Sequence, residues 1–219
     1  MSTCLRLLSA VAVLMQLGAA GCATQKVSMR SGPRAFTESD YDRVYTAWTR
    51  EAHPYAFGRL ADVLDATATF ESWEFRWAYV VRYAHDHALP TESRTALLRT
   101  TLEDAAAHHR FFVTLIGTDW RESDLTSERS AWRVLLVDEA GRVTAPLEIE
   151  RIERPTPAER VYFSSVTPQR QTFRIVFPAT HADGTATIAA DTRVIVLRFT
   201  GAQGTVDLRW EIDTGAAAP

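Results

Sequence analysis

Cysteine is scarce: Cys4 and Cys22 are the only two in a chain of 219 residues. Two cysteines cannot form a disulfide framework, so stability must come from a hydrophobic core. An excess of positive charge is also missing. The formal net charge is −3, the sequence pI is about 6.1, and arginine is spread along the chain rather than clustered. That excludes the electrostatic footprint of a nucleic-acid partner. Beyond residue 22 no apolar run approaches the roughly 20 residues that a spanning helix requires. There is no G-x-S-x-G elbow, H-E-x-x-H, P-loop or C-x-x-C, and no internal repeat. What is present is 46% hydrophobic content, enough for one substantial core or two small ones.

The two cysteines lie in the N-terminal segment. Residues 1–6 are short and carry one positive charge, on Arg6. Residues 7–17 are apolar apart from Ser9 and Gln16, which is the length of a signal-peptide core and too short to cross a bilayer. Gly18, Ala19, Ala20 and Gly21 follow, and then Cys22. This arrangement resembles the lipobox of bacterial lipoproteins, although most members carry Leu where Ala19 stands. The resemblance covers residues 1–22. It implies cleavage before Cys22, a diacylglycerol on its thiol and an acyl chain on its amine. Two or more chains anchor a protein durably. Ala23 rather than Asp after the cysteine implies passage to the outer membrane by the sorting rule of enteric Gram-negative lipoproteins. The alternative is a plain secretory signal cut near Ala19 or Gly21, which leaves an unpaired exposed thiol in an oxidising compartment.

Five segments follow from the pattern. Residues 1–21 read as a removed signal and 22–36 as a polar, flexible tether broken by Ser31, Gly32 and Pro33. Residues 37–108 read as a helical region. Thr37, Ser39 and Asp40 suit a helix start, and Tyr41, Val44, Tyr45 and Trp48 fall on one face. His53–Pro54 interrupts, and a short turn of helix is expected around Leu60, Val63 and Leu64. The spacing of Phe70, Trp73, Trp77, Val80, Val81 and Ala84 predicts a second helix. A third follows Pro90, with Leu97, Leu98, Thr101, Leu102, Ala105 and Ala106 as its buried stripe.

Residues 109–213 change to a strand period. Expected strands cover 111–116, 132–137, 143–150, 161–163, 172–177, 193–199 and 205–213, with a hairpin turn at Asp138–Gly141. In VDLRWEID, Val206, Leu208, Trp210 and Ile212 point one way and the charged residues the other. Residues 214–219 read as a disordered tail. The expected fold is α+β, a helical region followed by an antiparallel β-sandwich of about seven strands. The FFVTL strand, the WRVLLVDEAGR hairpin and the late FRIVFP strand resemble immunoglobulin-like domains of bacterial lipoproteins over residues 110–213, without the paired cysteines of antibody domains. The alternative is a set of helices packed on one sheet.

Candidate site residues are few. His85 and His87 close one helix and His108 and His109 the next, positions where histidine complements the helix dipole. Because i and i+2 on a helix point about 200° apart, His85 and His87 do not converge on one ion. Asp119, Glu122 and Asp124 form an acidic loop of oxygen ligands that lacks calcium-loop spacing and contains Arg121. No catalytic residue, metal site or cofactor is assigned. The functional expectation is a lipid-anchored envelope lipoprotein, a non-enzymatic binding or assembly module whose partners are the membrane, through Cys22, and another envelope protein. Two alternatives stay open. One is an envelope hydrolase with His53, His85 and His109 as first suspects. The other is a small-ligand or lipid carrier with a cavity lined by Phe70, Trp73 and Trp77.

Overall fold

A computed structural model describes residues 25–53, 55–56, 61–62 and 64–214. The signal segment and Cys22 therefore lie outside the described residues, as do Leu60, Val63 and the tail beyond Thr214.

Thr37 and Asp40 form a reciprocal cap, each side chain bonding the other's end of a single 3-10 turn, Glu38–Asp40. Helix α1, Tyr41–Trp48, continues from it and buries Tyr41, Val44 and Trp48. The chain then turns directly into strand β1, Thr49–Ala52. Strands β2, Tyr55–Ala56, and β3, Ala61–Asp62, form a small ladder of their own before β4, Leu64–Phe70. Helix α2, Trp73–Asp86, starts where Ser72 accepts the amide of Phe75, and α3, Thr91–Ala107, follows Pro90. The remaining elements are β5, His108–Gly117, β6, Arg133–Asp138, β7, Val143–Thr144, β8, Glu148–Arg151, and helix α4, Pro157–Tyr162. Strands β9, Gln171–Pro178, β10, Val194–Gly201, and β11, Gly204–Glu211, complete the chain.

The strands make a five-stranded sheet in the order β1-β4-β5-β9-β8 and a four-stranded sheet in the order β11-β10-β6-β7, every pairing antiparallel. The central strands β4, β5 and β9 of the five-stranded sheet are buried on both faces. Phe70, Phe111, Val113, Phe173 and Phe177 are fully buried, and Phe111 packs on Trp210 of the other sheet at a ring separation of 5.5 Å. On the opposite face Phe112 stacks on Phe163, just after α4, at 3.8 Å. Phe163 in turn meets Phe75 of α2. The architecture is thus α+β, with helices on one face of a sheet and a second sheet on its other face. Trp210, fully buried, ties the layers by donating its indole N–H to the Trp48 carbonyl.

Four expectations are corrected. The region 37–108 is not helical throughout: β1 and β4 belong to the main sheet, and the β4–β5 ladder runs from Leu64↔Gly117 to Phe70↔Phe111, across the expected boundary. Leu64 and Phe70 are strand residues, because Thr67 and Thr69 favour extended backbone once both faces are covered. Residues 161–163 are not a strand, since Thr156 and Glu159 form a capping box around Pro157 and start a helix there. The expected strand 143–150 splits at Pro146 into β7 and β8, which join different sheets. The tether is docked from residue 25: Val27 is buried, bonds to Glu211 and Asp213, and bridges Ile212.

Candidate functional site

Helical spacing of four places Phe75, Tyr79 and Tyr83 along one face of α2. Their rings stack in series, 6.2 Å from Phe75 to Tyr79 and 5.9 Å from Tyr79 to Tyr83. Tyr162 meets Tyr79 edge-on at 5.3 Å. A cleft of about 370 Å³ opens beside this aromatic face. Rings of α2 and Phe163 form one side, Thr156 and Glu159 at the start of α4 another, and Arg110 of β5 and Arg174 of β9 the sheet side. Arg110 and Arg174 share a face of the sheet, since Arg174 lies opposite Phe112 and Val176 opposite Arg110.

The electrostatics are unusual for a junction between helices and a sheet. Arg76 is only 3% exposed. It donates to the Glu71 and Thr101 carbonyls at 2.7 and 3.1 Å and pairs with Asp104. Asp104 also receives Arg110 at 2.9 Å and His108 at 3.0 Å. Burial raises the Asp104 carboxyl pKa, yet these partners win and hold it below the ordinary range. Burial likewise disfavours charge on Arg174, but Glu71, Glu159 and Glu150 outweigh it and raise its pKa. Even so, Nη2 of Arg76 and Nε of Arg110 and of Arg174 are buried without an acceptor. Each such N–H carries a desolvation cost of about 1–3 kcal/mol.

The expected site residues do not converge here. Exposed His85 pairs with neighbouring Asp86 at 3.2 Å, and His87 stacks on Tyr83 at 3.9 Å while bonding its carbonyl. His108 bonds Asp104. His109 points to the other face of β5, edge-on to Phe70 at 5.8 Å. Burial, then Arg76 and His108, push its pKa down to about 4, and Nε2 has no partner. Asp119 caps its own turn through the amides of Arg121 and Glu122. Glu122 accepts from Gln203 at 2.8 Å, and Asp124 pairs with Arg151 at 2.6 Å. Among the described residues no group of three or more His, Cys, Asp or Glu side chains is disposed to hold a metal ion.

The alternative readings find partial counterparts. His53 lies 3.0 Å from Asp65, which lies 2.8 Å from Arg170. Asp65 Oδ1 makes no directional hydrogen bond despite those distances, so charge rather than bonding geometry holds it. His53 is 59% exposed and therefore at the surface, not in a deep cleft. Phe70 is core, Trp73 donates to the Gly32 carbonyl at 2.9 Å, and none of Phe70, Trp73 and Trp77 lines the cleft.

Sequence reasoning missed Arg76, Arg110 and Arg174. A signal was available: each arginine sits directly beside aromatic or aliphatic residues, in EFRWA, HRFFV and TFRIV. A charge at a core position must be paired or serve a site. Comparison with protein-family models, curated proteins and solved structures finds no match for this chain.

Proposed function

We propose that this chain is a lipid-anchored protein of the bacterial envelope that acts by binding another envelope component, not by catalysis, and that its binding seat is the cleft beside α2. The anchor rests on the lipobox pattern ending at Cys22, and the outer membrane is the destination that Ala23 favours. The two facing antiparallel sheets are compatible with the immunoglobulin-like sandwich expected from the sequence, a scaffold type that serves interaction rather than one chemistry. The observation that carries the binding reading is the lining itself. Rings and guanidinium groups surround the cleft, and guanidinium N–H groups there remain without acceptors. Aromatic and arginine side chains are the residues most enriched where proteins bind partners tightly. By contrast, the histidines that hydrogen-bond among the described residues meet carboxylates or carbonyls, and none meets a serine or threonine hydroxyl.

Two measurements test the proposal in whole cells. Cys22→Ser should release the protein from the membrane fraction and remove the acyl mass from the mature chain. Retention with unchanged mass would refute the anchor. A photo-crosslinking residue replacing Leu97, which lines the cleft, should yield a discrete adduct by intact mass. The same residue at Arg198, on β10 of the other sheet, should not. No adduct at Leu97, or equal labelling at both positions, would refute the seat.

A further inference from the structure

We infer that the cleft recognises a carboxylate carried on an aromatic or apolar group, with Arg110 as its principal contact. This inference rests on the cleft being the binding seat proposed above and names what that seat reads. Arg110 is 29% exposed, and among the described residues its ion pair is the one to Asp104. Its Nη2 reaches Asp104 at 2.9 Å, while Nε is buried without an acceptor. Arg76 behind it is almost wholly buried, lines the same cleft and leaves Nη2 unsatisfied. Asp104 is thus the one carboxylate paired with two guanidinium groups, and it accepts His108 as well. Arg76 and Arg110 therefore share a single carboxylate partner. A ligand carboxylate supplies a second acceptor to the exposed part of Arg110, and guanidinium groups match a carboxylate's paired oxygens.

The other walls narrow the choice. Glu71 and Glu159 also line the cleft. Glu159 is committed to Thr156 and Arg174 and Glu71 bears on Arg174, so these two carboxylates oppose a phosphate dianion more than a single carboxylate. The stacked rings of Phe75, Tyr79 and Tyr83 offer an apolar surface next to the charged end. A volume near 370 Å³ is at the low end for ligand clefts, which run from about 300 to 1,000 Å³. That is room for one residue-sized group, a free acid or the last residue of a peptide.

The test titrates the full mature chain in detergent with N-acetylphenylalanine, its neutral amide, inorganic phosphate and the tripeptide Gly-Gly-Phe, read by calorimetry and tyrosine fluorescence. The acid should bind at least tenfold more tightly than the amide and than phosphate, and Arg110→Gln should weaken it at least tenfold. Tighter binding of the tripeptide than of the single residue assigns the carboxylate to a chain end; equal binding assigns it to a free acid. If Arg110→Gln does not fold, Arg110→Lys keeps a charge on Asp104 while losing the guanidinium fork, and should weaken the acid several-fold. Equal binding of acid and amide, tighter binding of phosphate, or no binding of either carboxylate probe overturns the inference. An adduct at Leu97 in cells would then still sustain the binding seat, so the two claims fail separately.

Discussion

Acidification should destabilise this protein through His109, well before the carboxylates are protonated. The half-buried ring lies edge-on to Phe70, near Arg76 and His108, and its Nε2 is buried without a partner. A proton added at Nε2 has no acceptor to bond, and Arg76 and His108 oppose it. Its pKa falls from 6.5 to about 4 on folding. A depressed folded pKa means that the unfolded chain binds the proton first, so stability is lost as pH falls below 6.5 and the loss levels off near 4. At about 1.4 kcal/mol per pKa unit, the full effect is roughly 3 kcal/mol, of which about 2 kcal/mol is gone by about pH 5. For a chain of this size that is a drop in Tm of roughly 4–8 °C. The assay is urea denaturation between pH 7 and 4.5 for wild type and His109→Phe, with NMR titration of the wild-type histidines alongside. The variant should lose most of that slope. A His109 ring titrating near 6.5, or an undiminished slope in a folded variant, would refute the reasoning. The NMR reading does not depend on the variant folding.

Two other predictions probe the scaffold. Adding a methyl at Gly201 drives it into the backbone carbonyl of Ala131, so Gly201→Ala should cost about 3 kcal/mol by overpacking. At Gly184 the space is open but φ is +82°, so Gly184→Ala should cost only about 1–2 kcal/mol; equal losses by denaturation would contradict this account. Removing Arg170, whose guanidinium pairs with Asp65 and bonds Thr67 and Thr114, leaves a half-buried carboxylate short of its partner. Arg170→Met should cost about 2 kcal/mol, less than a fully buried pair because Asp65 keeps some solvent contact and His53. Asp65→Asn in that background should recover at least half, and failure to recover would show that packing, not charge, is at stake.

Local period made several elements legible. Tyr41, Val44 and Trp48 fall on the buried face of α1, and Val206, Leu208, Trp210 and Ile212 on the buried face at the end of the chain. Gly141 takes the positive φ of 79° that the hairpin turn needs. In α2 the buried aromatic line was misjudged. Trp73 and Trp77 are half-buried and Phe75 is core, because α2 is covered on more than one side and no single stripe describes it. In α3 only Leu102 of the expected stripe is fully buried, since that helix rests on α2 and leaves most of its circumference to solvent. The start of α4 was readable as Thr-Pro-Ala-Glu, but three apolar residues after it looked like a strand.

Composition and linear pattern by themselves determined the mixture of helix and strand and the alternating faces of β5 and β11, because those properties depend on near neighbours along the chain. Which strands share a sheet was decided only in three dimensions. Leu64 must meet Gly117, and residues 143–151 must serve both sheets, through hydrogen bonds between segments remote in sequence. The cleft is of the same kind. Arg76, Arg110 and Arg174 lie on a helix and two strands, and each alone is one charge beside apolar neighbours. The Asp104 carboxylate shared by Arg76 and Arg110, the unsatisfied N–H groups and the aromatic wall exist only once the helices close over the sheet, since electrostatics and desolvation depend on distance in space.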